Sequence, residues 1–296
     1  MNQSVSHVEP VISVLLPCCN GGHTLGLAIH SLLVQTFADF EIIFLNDGSS
    51  DDSVTIARSF ADPRIRILGD DTRRGLPVRL NEGVLHARGR FIARMDADDV
   101  SFPKRFERQL AYLQSHPGVD LLGCRALVFS DEGLVLGMLP FAATHGELCA
   151  QTWRNIPLPH PSWMGRREWF LRNPYRLPEV RRAEDQELLL RSSVSSEFAC
   201  LDEVLLAYRQ GPFQFPRTWV ARRSLLAAQI GLFVRRKEWI LAIKAFLSAV
   251  LKIGVDCLCA LPGLQRFFFL RMREPVPAAV SDQLQGCLSR YARLPK

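Results

Sequence analysis

The chain has 296 residues, 48% of them hydrophobic and 22% charged, with a formal net charge of +6. That length can bury a sizeable core, and that balance excludes an intrinsically disordered chain. Eight cysteines, at positions 18, 19, 124, 149, 200, 257, 259 and 287, show no zinc-type spacing and read as buried thiols of a reducing cytoplasm.

The first ten residues, MNQSVSHVEP, hold neither a basic n-region nor an apolar h-region. The expectation is therefore no secretory signal and a catalytic part in the cytosol. Val11 to Leu16 is an apolar run with the length of a strand covered on both faces. After the turn PCCNGG, residues Leu25, Ala28, Ile29, Leu32 and Leu33 recur at helical spacing, with Thr24 as the expected N-cap. Phe40 to Leu45 reads as a second strand, NDGSSDD as a turn opening a helix that ends near Phe60, and Ile65 to Leu68 as a third strand. Residues 77 to 88 read as a helix and Arg90 to Met95 as a fourth strand. Strand alternating with helix predicts a parallel sheet with helical crossovers, whose ligand edge lies beyond the strands' carboxyl ends. Three polar turns, PCCNGG, NDGSSDD and DADDV, leave strands at that edge. Further on, Pro103 to Ser115 reads as a helix with Phe106, Leu110 and Leu113 inward, and a strand starts at Val119. Residues 144 to 215 are mixed and rich in Pro and Trp, and the composition shifts near Pro216.

Clustered acids repel unless a cation sits among them, so DADD is the most pointed of the three turns. Asp96 and Asp98 are two apart and, in an extended segment, project to the same side. Such a pair makes a hard oxygen site suited to Mg²⁺ or Mn²⁺. The plainer alternative is a solvated turn in which Asp99 caps a helix. Asp47 ends the second strand, and its turn is either a capping turn with Ser49 or Ser50 accepting from helix amides, or part of the same site. Glu184 and Asp185 open an amphipathic helix, where acids either complement the helix dipole or supply a general base.

Together these segments resemble a family 2 glycosyltransferase of the GT-A fold. The likeness rests on VISVLLPCCN, LNDGSSD, GRFIARMDADD, the helix with Arg105, Gln109 and Leu113, LPHPSWMGRR, and AEDQELLLR followed by LLAYR, about two-thirds of the chain. It implies an α/β fold: a Rossmann-like, mostly parallel sheet flanked by helices over residues 1–215, with a C-terminal helical appendage over 216–296. It implies an inverting transfer from a nucleoside-diphosphate sugar to a hydroxyl of a glycan or lipid-linked acceptor. By the resemblance, Asp47 bonds the nucleobase, Asp96 lies beside the ribose or sugar, Asp98 holds the divalent ion, and Asp185 is the catalytic base. Pro17, Asn20 and Glu184 join the substrate contacts. The sequence departs from the family where a base-stacking aromatic is usual, since Cys18 or Cys19 stands there. It also reads VRLNEG in place of the family's RN pair, which leaves Arg79 as the candidate for that arginine. In HPSW, His160 is either structural or a contact to phosphate or metal, and Trp163 offers a ring on which a sugar could stack. The rival readings are a sugar-phosphate nucleotidyltransferase, disfavoured because PCCNGGHT lacks the basic residues for a triphosphate, and a non-catalytic binding protein of the same fold.

Residues 216 to 274 carry eleven Lys and Arg against three acids, whereas the first 215 residues are net negative. The longest uncharged run there, Ser224 to Val234, has eleven residues, against the roughly 20 that a membrane span needs. The appendage is thus expected to lie on an anionic membrane surface, with Phe267 to Phe269 between Arg266 and Arg271 as an apolar wedge, rather than to bind nucleic acid. Packing on the catalytic domain or on a second subunit is the alternative. The expected place is the cytoplasm, peripheral at the inner face of the membrane.

Overall fold

A computed structural model describes residues 9–176, 182–261, 264 and 274–293. In chain order the structure runs β1 (Ile12–Cys18), α1 (Gly22–Leu33), β2 (Phe40–Asp47), α2 (Ser53–Ser59), β3 (Ile65–Asp70), α3 (Leu76–His86) and β4 (Phe91–Arg94). It continues through β5 (Val100–Ser101), α4 (Arg105–Ser115), β6 (Leu121–Phe129), β7 (Val135–Met138), α5 (His145–Cys149), β8 (Met164–Arg166), α6 (Arg167–Arg172), α7 (Glu184–Ser192) and β9 (Phe198–Arg209). Among the described residues nine strands form one sheet in the order β3-β2-β1-β4-β8-β6-β9-β5, with β7 beside β6. The β3-β2-β1-β4 half is parallel, as the alternation predicts. Antiparallel β8 separates it from β6 and β9, which run parallel to each other.

Every residue of β1 and β2 is buried, because helices cover both faces of a parallel sheet. Successive residues of β1 face opposite layers. Val14 and Leu16 join Leu25, Ile29 and Leu32 of α1 and Phe106 and Leu110 of α4. Leu15 joins Leu80 and Val84 of α3, Trp169 of α6, and Leu188 and Leu189 of α7. The result is a three-layer sandwich whose strand ends share one edge.

Three local expectations need correction. Thr24 does not cap α1: the helix starts at Gly22, and the Thr24 hydroxyl donates to the Gly21 carbonyl at 3.2 Å. The capping groups come from the next turn, where Asp51 accepts from the Gly22 amide at 2.9 Å and Ser53 from the Gly21 amide at 3.1 Å. Not every thiol is buried: all eight are free, but Cys257 is exposed. The segment after Arg94 is a turn rather than extended strand, and Asp99 caps no helix.

Beyond β9 follow α8 (Phe215–Arg235), α9 (Trp239–Cys259) and α10 (Ala278–Ala292). Phe233 of α8 packs with Leu190 of α7 and with Ala242 and Ala245 of α9. α10 returns to α1, where Leu284 meets Leu27, and the Tyr291 hydroxyl of α10 lies in the space that a Cβ at Gly26 of α1 would take. Residues 265–273, which contain Phe267 to Phe269, lie outside the described residues. No helix among the described residues is long and apolar enough to cross a membrane.

Candidate active site

Because β2, β1 and β4 are parallel neighbours, the turns that follow them lie side by side. Pro17 is buried within β1, opposite Leu45. Asn20, at a positive φ of 56°, joins the first turn to the second: its Oδ1 accepts from the Ser50 amide at 2.8 Å, and its amide donates to Ser49 Oγ at 3.1 Å. Gly48 takes φ +65°, which lets the backbone turn directly behind Asp47.

Asp47 is 6% exposed. Its carboxylate accepts from the amides of Arg74 at 2.7 Å and Gly75 at 3.0 Å, and from Arg79 Nε at 3.3 Å. Arg79, 1% exposed, also donates to Asp70 at 2.7 Å, Glu82 at 2.9 Å and the Thr72 carbonyl at 2.6 Å. Burial opposes its charge, but Asp70, Glu82 and Asp47 hold it above its ordinary value. Asp47 and Arg79, expected as separate ligand contacts, therefore pair with each other and fix the start of α3.

At the end of β4 the chain folds back, with the Asp99 amide donating to the Asp96 carbonyl at 3.3 Å. Asp96, Asp98 and Asp99 each offer an oxygen within 4.8 Å of the others. Arg94, buried in the strand, donates both terminal nitrogens to the two Asp96 oxygens, one at 2.7 Å. Arg209, at the end of β9, donates its amide to Asp99 Oδ1 and its Nε to the Asp98 carbonyl, both at 2.8 Å. Asp99 Oδ2 is buried with no hydrogen-bond partner. Burial, then the charges of Asp98 and Asp96, push Asp99 well above the usual carboxylate range. Asp98 keeps an open face, yet surrounding protein and the Asp96 charge push it up to about 6.

α7 brings the second group of acids. Ala183 precedes it in the left-handed region at φ 62°, a conformation that costs a side-chain-bearing residue energy and sets the angle at which the helix enters. Burial and the Asp185 charge push Glu184 up to about 7. Burial also raises Asp185, against the Gln186 side chain, which donates to it at 3.4 Å, and the Arg94 charge. Gln186 is itself fixed by Ile156, whose amide donates to it at 2.9 Å. The Arg94 charge acts on Asp98, Asp99, Glu184 and Asp185 alike, and Asp96 raises Glu184. The charge of one buried guanidinium thus reaches two acidic groups nearly ninety residues apart in the chain.

His160 and Trp163 take supporting positions. The Trp163 ring is fully buried, donates Nε1 to the Leu158 carbonyl at 3.2 Å, and leaves no face for a sugar to stack on. Its carbonyl accepts from the Arg94 amide at 2.9 Å. His160 is hydrogen-bonded to the Tyr175 hydroxyl at 2.6 Å, and burial followed by the Arg94 charge keeps it neutral, well below its ordinary value. Arg94, Tyr175 and Arg209 were given no role by sequence reasoning, and Asp99 was weighed only as a helix cap. The signal for Arg94 is an arginine inside a strand that is otherwise apolar, which requires a carboxylate partner.

A carboxyl whose folded pKa lies above its unfolded value keeps a proton that the unfolded chain has released. Glu184 and Asp98 are such groups, so the stability they contribute falls as pH rises from about 4 through about 7. Neutral His160 contributes the opposite slope over the same interval, so the acids are read by difference: with chelator present, the double variant Asp98→Asn, Glu184→Gln is expected to gain melting temperature relative to the wild type between about pH 5.5 and about pH 7.5, and Mn²⁺ is expected to narrow that gap by binding the wild type. A difference in scanning fluorimetry that stays constant or reverses across that interval would refute the assigned shifts.

Residues 13–172 match the sequence profile of glycosyl transferase family 2. The chain belongs to that family. It is 34% identical over 189 residues to the putative glycosyltransferase EpsE of Bacillus subtilis, covering 62% of this chain and 66% of that protein. It is 33% identical over 103 residues to WfgD of Escherichia coli, a UDP-Glc:α-D-GlcNAc-diphosphoundecaprenol β-1,3-glucosyltransferase, covering 35% of this chain and 41% of that one. The matches thus span less than two thirds of these relatives' length. Among solved structures, S. aureus TarS 1–349 in complex with UDP-GlcNAc superposes with TM-score 0.60 at 18% identity, over 95% of this chain and 80% of that one. The mannosyltransferase PcManGT of Pyrobaculum calidifontis, in complex with GDP-Man and Mn²⁺, superposes with TM-score 0.60 at 13% identity, over 97% and 88%. At such identities the likeness is one of fold, and that fold is GT-A.

Proposed function

We propose that the chain is an inverting glycosyltransferase of hexosyl type, moving a sugar from a nucleoside-diphosphate donor to a hydroxyl of a glycan or lipid-linked acceptor. The observation that carries the reading is the Asp96, Asp98 and Asp99 cluster at the end of β4, with Glu184 and Asp185 of α7 within reach of the Arg94 charge that also acts on it. In this reading residues 1–215 do the chemistry and 216–296 form an appendage. The enzyme works in the cytoplasm, peripheral at the inner face of the membrane, where a lipid-linked acceptor such as the one in WfgD's name is presented.

The acids fit a divalent ion. Three carboxylates supply hard oxygen donors, Asp99 Oδ2 lacks a partner, and Asp98 is raised first by burial and then by the Asp96 charge, both of which a cation would offset. Asp98, with Asp96 beside it, would hold Mn²⁺ or Mg²⁺, which when bound stabilises charge developing on a leaving diphosphate. Asn20, Pro17 and the Asp47–Arg79 pair form the nucleoside side, with Asp47 facing the base. Asp185 takes the proton of the acceptor hydroxyl as its oxygen bonds to the anomeric carbon. The bond to the diphosphate breaks on the opposite face, its electron pair leaves with the phosphate, and the centre inverts. Burial that raises Asp185 makes it a stronger base than a free carboxylate. Glu184, protonated in part near neutrality, accompanies it at the sugar, and His160 and Trp163 hold the strand end that carries Arg94.

A donor screen by calorimetry, with and without Mn²⁺, tests the reading. Asp98→Ala is expected to abolish the Mn²⁺-dependent part of donor binding, about tenfold or more in Kd, while leaving the fold intact. Donor binding that ignores both the ion and this substitution would remove Asp98 from the site.

A further inference from the structure

α9 carries its large apolar side chains on the wrong face for a helix packed on a protein. The side turned toward α8 holds Ala242, Ala245, Ala249, Asp256 and Cys259, all buried. Facing away are Ile240, Ile243, Leu247, Val250, Leu251 and Leu258, which recur at helical spacing and are exposed, Ile240 at 71% and Leu251 at 72%. At 1.5 Å per residue the stripe runs about 30 Å, unlike the scattered apolar residues of an ordinary surface.

Packing fixes that orientation. Small residues let α9 approach α8 closely, and Arg222 of α8 donates to both oxygens of the buried Asp256, at 2.9 and 3.3 Å. Rolling the apolar face inward would carry Asp256 out of its ion pair and leave a charge unpaired, which is costly. The exposed stripe is therefore a property of the folded hairpin.

We propose that this face is the surface by which the protein docks on an anionic lipid bilayer, with α9 lying in the membrane plane. Charge decides the occupant. Arg235, Arg236 and Lys237 cluster at the turn between α8 and α9, and exposed Lys244 borders the stripe. The acids of residues 216–261 are Glu238 and Asp256, the second already paired. A second copy of this face would bring no acidic patch to answer those cations, whereas anionic headgroups do. Because α9 is not long and apolar enough to cross a membrane, its side chains enter only the boundary layer. α8 packs on α7 through Phe233 and Leu190, so docking also sets the height of Glu184 and Asp185 above the lipid. The inference deepens the reading of a membrane-borne acceptor, yet docking and sugar transfer can fail separately.

The test is sedimentation of the full chain with phosphatidylcholine vesicles and with phosphatidylcholine–phosphatidylglycerol vesicles, alongside the triple variant Ile243→Glu, Leu247→Glu, Leu251→Glu. The wild type is expected to bind the anionic vesicles about tenfold or more tightly than the neutral ones. The triple variant is expected to lose that binding at least about tenfold while keeping its melting temperature and Mn²⁺-dependent donor binding, since the replaced side chains already face water. Arg235→Gln, Arg236→Gln and Lys237→Gln together should lower the preference for phosphatidylglycerol. The proposal is overturned if the wild type stays in the supernatant with both lipids, or if the triple variant binds as the wild type does. It is equally overturned if the triple variant merely converts a stable dimer to monomer, which would assign the face to a second copy. Vesicle binding that persists in a protein unable to bind any nucleotide sugar would uphold the docking face and sink the transferase reading instead.

Discussion

Asp185→Asn is expected to reduce sugar transfer by about 10²- to 10⁴-fold, the usual contribution of a positioned general base, with donor affinity unchanged within about twofold. The amide matches the carboxylate in shape, and burial already disfavours the charge it replaces, so the variant should fold at least as stably as the wild type. Glu184→Gln is the informative companion. Glu184 is the partner that the Asp185 charge raises to about 7, so its replacement should remove that step from the rate profile while the acidic limb set by Asp185 stays in place and substantial activity remains. Titration calorimetry for the donor and a discontinuous assay for transfer separate the roles. Equal loss of donor binding and turnover in Asp185→Asn would make that residue a structural acid of α7.

The second large effect is expected at Arg94. Its guanidinium answers both oxygens of Asp96 and acts on Asp98, Asp99, Glu184 and Asp185. Arg94→Met fills the space but leaves those carboxylates without their shared cation. Breaking a buried pair from one side costs about 3–5 kcal/mol, which urea denaturation at neutral pH would register as a lower midpoint with little change in slope. The deficit should shrink at mildly acidic pH, where protons replace the missing charge. Arg94→Lys should recover only part of it, because an ammonium cannot present two parallel donors to Asp96. A loss below about 1 kcal/mol, within reach of a surface pair, would show that Arg94 does not organise the acids.

How much of this could be read beforehand varies with the distance over which each feature is decided. Strand and helix alternation up to Arg94 is a matter of local burial period, and the polar turns at the ends of β1, β2 and β4 follow once the sheet is parallel. The acids of DADD and of α7 were visible as charge where apolar sequence runs out. Trp163 misled because a tryptophan beside Pro161 in a loop reads as exposed, whereas the fold turns it inward to the Leu158 carbonyl. The pairing of Asp47 with Arg79 was not legible, because nothing local reveals that α3 begins on one and returns the other to it.

The sequence by itself determined the parallel half of the sheet, the edge at which its turns gather, the acid-rich strand end and the cationic character of residues 216–274. Each depends on residues within a turn or two of one another, where period and composition report burial directly. Only the tertiary structure decided that Arg209 reaches the DADD turn from β9, that Glu184 and Asp96 share the field of Arg94, and that α9 turns its apolar face outward. Those outcomes depend on which distant surfaces pack together and on the Arg222–Asp256 ion pair that fixes the rotation of α9, and no local pattern carries that choice.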